Sequence, residues 1–88
     1  MILTATIKVK GREYSLSLDT DKADHNYEDE NYAEWFIHPK DGRILEVTVW
    51  KDNKGRFTHD GIVEVYENQG DFEDGMLLDK KNIRLTEQ

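Results

Sequence analysis

The chain has 88 residues and no cysteine, and its 19 acidic residues outweigh 12 basic ones to give a net charge of −7. That is one small domain with a thin core, and it has no disulfide framework, thiolate zinc site or cysteine nucleophile. The missing disulfides point to a reducing, cytoplasmic setting, and the acidity disfavours bulk attraction to nucleic acid or anionic lipid while favouring basic partners or cations.

The opening "MILTATIKVKG" alternates and holds no long apolar run, so it reads as neither a signal peptide nor a membrane span. "ILTATIKV" and "REYSLSL" flank Lys10-Gly11 and both alternate with period two. A two-residue turn there sets Val9 opposite Arg12, Ile7 opposite Tyr14, Ala5 opposite Leu16 and Leu3 opposite Leu18. The other face pairs Lys8 with Glu13, Thr6 with Ser15 and Thr4 with Ser17. Apolar meets apolar and hydroxyl meets hydroxyl, and a slip of one residue destroys the match, so the register is specified.

The next stretch, "DTDKADHNYEDENYAEW" from Asp19 to Trp35, carries seven carboxylates and one lysine. Aligned from Asp19 as an EF-hand loop it offers Asp19, Asp21 and Glu30 at positions 1, 3 and 12. Ala23 and Asp24 then fall where a ligand and the glycine belong, and a strand precedes it instead of a helix. As a helix it fails too, because Glu30 and Asn31 interrupt the apolar stripe and Asp and Asn prefer caps and turns. The expectation is a solvated, mobile connection over 19–32, pinned by Tyr27 or Tyr32, with one turn near Tyr27 to Tyr32.

A second hairpin follows. "AEWFIHP" and "RILEVTVW" flank Lys40-Asp41-Gly42, a type I turn closed by a left-handed glycine. Its core face pairs Trp35 with Val47, Ile37 with Leu45 and Ala33 with Val49. Its other face pairs Phe36 with Glu46, His38 with Ile44 and Glu34 with Thr48. Beyond Trp50, either Asp52 to Gly55 is a turn and a strand continues from Arg56, or Asp52 to Gly61 is one longer loop. The first alternative points His59 into the core, at a cost unless its ring nitrogens find partners. "IVEVYE" is a strand either way. In the tail, a short hairpin turning at Lys80 to Asn82 would set Leu77 against Leu85, and a helix from Asp79 is the other option.

The pattern predicts a mainly β domain: a small antiparallel sandwich or barrel of five to seven strands built from hairpins. The alternative is one antiparallel sheet with a single short helix from residues 20–33 or from the tail.

No constellation for catalysis stands out. His25, His38 and His59 lack metal spacing, Ser15 and Ser17 sit in a hydroxyl ladder, no phosphate-binding glycine loop is present, and no cofactor is implied. One mixed sheet face gathers Phe36, Ile44, Trp50, Ile62 and Tyr66, with Glu34, His38, Glu46 and Glu64 as its rim. Either the tail or the acidic stretch covers it as a second small core, or it is an exposed binding surface. The expectation for function is a non-enzymatic acidic domain, monomeric or homodimeric, that binds a protein with a basic surface, in the manner of an inhibitor or nucleic-acid mimic. Thirteen of the acids fall in the windows 19–34 and 64–79, and the candidate contact residues are Glu28, Asp29, Glu30, Tyr32, Trp50 and Tyr66. The alternatives are a small-ligand or calcium-binding barrel and a single-strand-binding barrel using Trp50, Phe57 and Tyr66 beside turn lysines and arginines.

Overall fold

The structure, a computed structural model, describes residues 1–21, 27–67 and 77–88. Among these there is no helix, and hence none long and apolar enough to cross a membrane. The strands are β1 (Ile2–Val9), β2 (Arg12–Asp19), β3 (Tyr27–Glu28), β4 (Tyr32–Ile37), β5 (Arg43–Lys51), β6 (Phe57–Glu67), β7 (Leu77–Arg84) and β8 (Thr86–Glu87). They form two antiparallel sheets, one of three strands in the order β2-β1-β8 and one of five in the order β3-β4-β5-β6-β7.

The first hairpin has the register read from its alternation, from Val9 opposite Arg12 to Leu3 opposite Leu18. Lys10 and Gly11 take φ of 49° and 80°, a type I′ turn whose twist matches the flanking strands. In the second hairpin Trp35 lies opposite Val47, Ile37 opposite Leu45 and Ala33 opposite Val49. Gly42, at φ 86°, is its left-handed residue. Pairing stops at Ile37, so His38 lies outside the strand.

Period-two burial sends one face of each sheet into a single core. Leu3, Val9, Leu16, Leu18 and Leu85 come from the three-stranded side, and Trp35, Leu45, Val47, Val63 and Val65 are among those from the other. The chain passes between sheets at Leu85, whose N–H donates to the His59 carbonyl at 2.7 Å. Immediately after it, Thr86 lies opposite Thr4 in the three-stranded sheet. β7 and β8 thus act as one bent strand turning a corner, as in orthogonally packed sheets. The turn ends are tied as well. Tyr14 donates its hydroxyl hydrogen to Asp41 at 2.6 Å, Arg12 pairs with Asp41 at 3.1 Å, and Arg43 donates to the Val9 carbonyl at 3.1 Å.

Two expectations change here. Residues 80–82 make no turn: Leu77–Arg84 is one continuous strand along β6, so Leu77 does not meet Leu85, and no helix starts at Asp79. The ladder to β6 and burial of Ile83 opposite Gly61 outweigh the local turn preference of "KKN". The open choice after Trp50 is also decided. Asp52 closes a turn by accepting N–H donors from Lys54 and Arg56, and β6 then runs from Phe57. His59 keeps 42% of its side chain exposed at the sheet end, 4.0 Å from Glu87, so the feared burial does not arise.

At Gly61 the backbone of β5 lies close against β6. A Cβ built there stands 2.1 Å from the Thr48 carbonyl oxygen, beside an irregularity in the ladder between Val49 and Lys51. Backbone on both sides leaves no flexible side chain to yield. Gly61→Ala is therefore expected to cost at least about 1–3 kcal/mol in chemical denaturation, and stability equal to the parent would show that the strands can separate freely.

Candidate functional site

The outer face of the five-stranded sheet is the surface the core does not use. Strand parity assigns its residues, since alternate side chains leave on opposite sides. Glu34, Thr48, Ile62 and Asn82 form one row across β4 to β7. Phe36, Glu46, Glu64 and Lys80 form the next, and Ile44 and Tyr66 a third. At the other end Tyr32 lies opposite Trp50. Tyr32 also stacks edge-on against Trp50 at 5.9 Å between ring centroids and lies 5.4 Å from Tyr27.

Among the described residues nothing buries this face as a second core. Phe36 is 46% exposed, Tyr27 45% and Trp50 39%. The carboxylates are not its rim. Glu46 sits in the middle, directly opposite Glu64, with Glu34 on the neighbouring strand. Exposed His38, beyond the end of β4, leaves the cluster.

This crowding has electrostatic consequences. Partial burial, a hydrogen bond shared with Glu34 and the charges of Glu34 and Glu64 push the Glu46 carboxyl up to about 7. Burial, with the charge and hydrogen bond of Glu64, pushes the Tyr66 hydroxyl up to about 12; that hydroxyl donates to Glu64 at 3.2 Å. Like charges directly opposite on adjacent strands destabilise a sheet. Glu46 and Glu64 stand in that relation, with Glu34 diagonal to Glu46 and Lys80 opposite Glu64 on its other side.

The six expected contact residues divide. Tyr32, Trp50 and Tyr66 share the outer face. Glu28 does not: it pairs with Lys51, whose ammonium lies 4.9 Å above the Phe57 ring at the end of the core. Asp29 is consumed in folding. Its Oδ1 accepts the N–H groups of Asn31 and Tyr32 at 2.7 and 3.0 Å, and Oδ2 accepts the Tyr27 hydroxyl at 3.0 Å. Those backbone donors hold the Asp29 carboxyl below its ordinary value, while the same aspartate raises the Tyr27 hydroxyl. Glu30 stays exposed in the turn.

The acidic stretch is therefore not a loop throughout. Tyr27 and Glu28 pair with Glu34 and Ala33 as a short hairpin, which replaces the solvated connection expected over 27–32. Residues 22–26 of that stretch, and residues 68–76 of the second acidic window, lie outside the described residues. Among the described residues no three His, Asp or Glu side chains are arranged to hold a metal ion. Tyr27 was missed as a face residue because its strand is only two residues long and shows no alternation.

No family model, curated protein or solved structure matches the chain.

A raised carboxyl binds more protons in the folded than in the unfolded state. For Glu46 this holds between its ordinary 4.5 and about 7, so its contribution favours folding at the acid end and is lost as pH rises through that window. Melting temperature is expected to fall between about pH 4.5 and about pH 7. Glu46→Gln is expected to flatten that slope and raise the melting temperature at the alkaline end. An unchanged slope in the variant would mean that Glu46 is ionised throughout.

Proposed function

We propose that this is a non-enzymatic acidic binding domain whose five-stranded sheet offers its outer face to a protein with a basic surface. One observation carries the reading. Glu34, Glu46 and Glu64 are packed in adjacent rows where their mutual repulsion costs stability, between Phe36, Trp50, Ile62 and Tyr66. A local rule broken without gain to the fold marks a place shaped by something else. Lysine or arginine from a partner would relieve the repulsion, and the aromatic rings would supply desolvated contact area. The wider acidity of the chain would steer such a partner during encounter.

Several of the basic residues that favoured a nucleic-acid reading pair with carboxylates of the chain itself. Arg12 pairs with Asp41, Lys51 with Glu28, Arg56 with Asp52 and Arg84 with Asp60. That leaves the acidic, aromatic face as the better-supported surface.

The test is comparative capture from native lysate with the parent chain and two variants. A partner is expected to elute with salt, to be lost on Trp50→Ala and to be lost on combined Glu34→Gln, Glu46→Gln and Glu64→Gln. The triple variant is expected to be more stable than the parent, since it removes the repulsion. A partner retained equally by both variants would place binding elsewhere.

A further inference from the structure

The outer edge of β2 carries a second, separate surface. The type I′ turn makes Val9 and Arg12 a hydrogen-bonded pair. The Thr20 N–H, which donates to the Met1 carbonyl at 3.0 Å, continues the same parity at the far end. Even-numbered residues of β2 therefore bond to β1. The N–H and C=O groups of Glu13, Ser15 and Ser17 point the other way, and among the described residues no strand pairs with them.

The other terminal strands of the two sheets are short or interrupted. β3 and β8 have two residues each. β7 carries a register shift opposite Val65 and Tyr66, and it places Lys80 and Lys81 in mid-strand. Charged residues, bulges and short length are the devices that stop edges pairing. β2 has eight residues, no proline and no bulge, and its charges stand only at the ends, as Arg12, Glu13 and Asp19. The adjoining outer surface is an uncharged, hydroxyl-lined depression of about 450 Å³ that includes Thr4, Thr6, Ser15, Ser17 and Thr86.

We infer that β2 pairs antiparallel with β2 of a second copy about a two-fold axis at Ser15, joining two three-stranded sheets into one of six strands. The strand's own sequence selects this occupant and this register. Opposed residues must share a face, so only registers that keep core-facing side chains together qualify. Centred on Ser15, the pairing sets Glu13 opposite Ser17 of the second copy, a carboxylate against a hydroxyl donor. On the core side it sets Tyr14 opposite Leu16 and Arg12, at the strand end, opposite Leu18. Asp19 falls opposite Gly11, beside the turn lysine Lys10. Centring one residue further on sets Glu13 against Asp19, two like charges, and centring one residue earlier shortens the ladder at the Asp19 end. The uncharged middle of the strand keeps repulsion between two chains of charge −7 away from the contact. Added salt, by screening what remains, strengthens association, opposite in sign to the basic-partner binding at the outer face of the other sheet.

Sedimentation equilibrium over a concentration series tests this. The mass is expected to rise from one chain towards two and to do so at lower concentration in high salt. Ser15→Pro removes an N–H that the hairpin does not use, and Ser15→Lys sets two ammonium groups opposite each other at the axis. Both are expected to hold the mass at one chain while keeping the parent's circular dichroism, and Ser15→Lys decides alone if Ser15→Pro fails to fold. In a mixed labelled and unlabelled sample, an intermolecular contact between the α-protons of Tyr14 and Leu16 is expected. A mass of one chain at all concentrations, association that survives Ser15→Lys, or the absence of that contact would overturn the proposal.

Discussion

The two sheets share one apolar layer, and much else in the molecule follows from which side chains that layer takes. Leu3, Leu16 and Leu18 from one side meet Trp35, Leu45, Val47 and Val63 from the other. Because side chains alternate along a strand, filling that layer also decides what is left outside. In the three-stranded sheet the remainder is a ladder of hydroxyls. In the five-stranded sheet it is a mixture of aromatic rings, aliphatic side chains and carboxylates. The core gives no reason for that second mixture.

Much of the architecture was legible in the residues. Both hairpin registers follow from alternation plus a glycine at the turn, because a one-residue slip would expose every leucine and valine. The tail was not legible. "KKN" is a good turn locally, but β6 has a second edge whose hydrogen bonds must be satisfied, and β7 fills it from Leu77 to Arg84. Information about a partner strand that far away is not contained in local propensity. The same limit hid the face's central feature. Glu46 and Glu64 become neighbours only once the Asp52 turn fixes how β5 and β6 align, and the sequence allowed two lengths for that connection.

The acidic stretch shows why a run of carboxylates is a poor guide to a surface. Asp29 satisfies backbone donors in a tight turn, and Glu28 neutralises Lys51 at the end of the core. Both are spent on local structure, as short polar side chains near turns often are. The carboxylates that meet on the outer face, Glu34, Glu46 and Glu64, are scattered singly through "YAEWFI", "ILEVTVW" and "IVEVYE", where each looks like an ordinary solvent-facing position. Their significance is a property of the sheet and is invisible in any one strand.

The neighbours of β1 have a bearing on how the chain is made. Its first residues are held on one side by β2 and on the other by Thr86 to Gln88, with the Gln88 N–H donating to the Ile2 carbonyl at 2.8 Å. During synthesis the first hairpin emerges with Leu3, Leu16 and Leu18 open to solvent, and the strands that shelter them come later. Leu85, which turns the corner between the sheets, is joined long after Leu3. Contacts of such long sequence separation form late and slow the search for the native state. The nascent chain must therefore hold an unsheltered apolar hairpin until Leu85 and Thr86 have been made, an interval in which solubility depends on the acidic residues already made and on any chaperone that meets it.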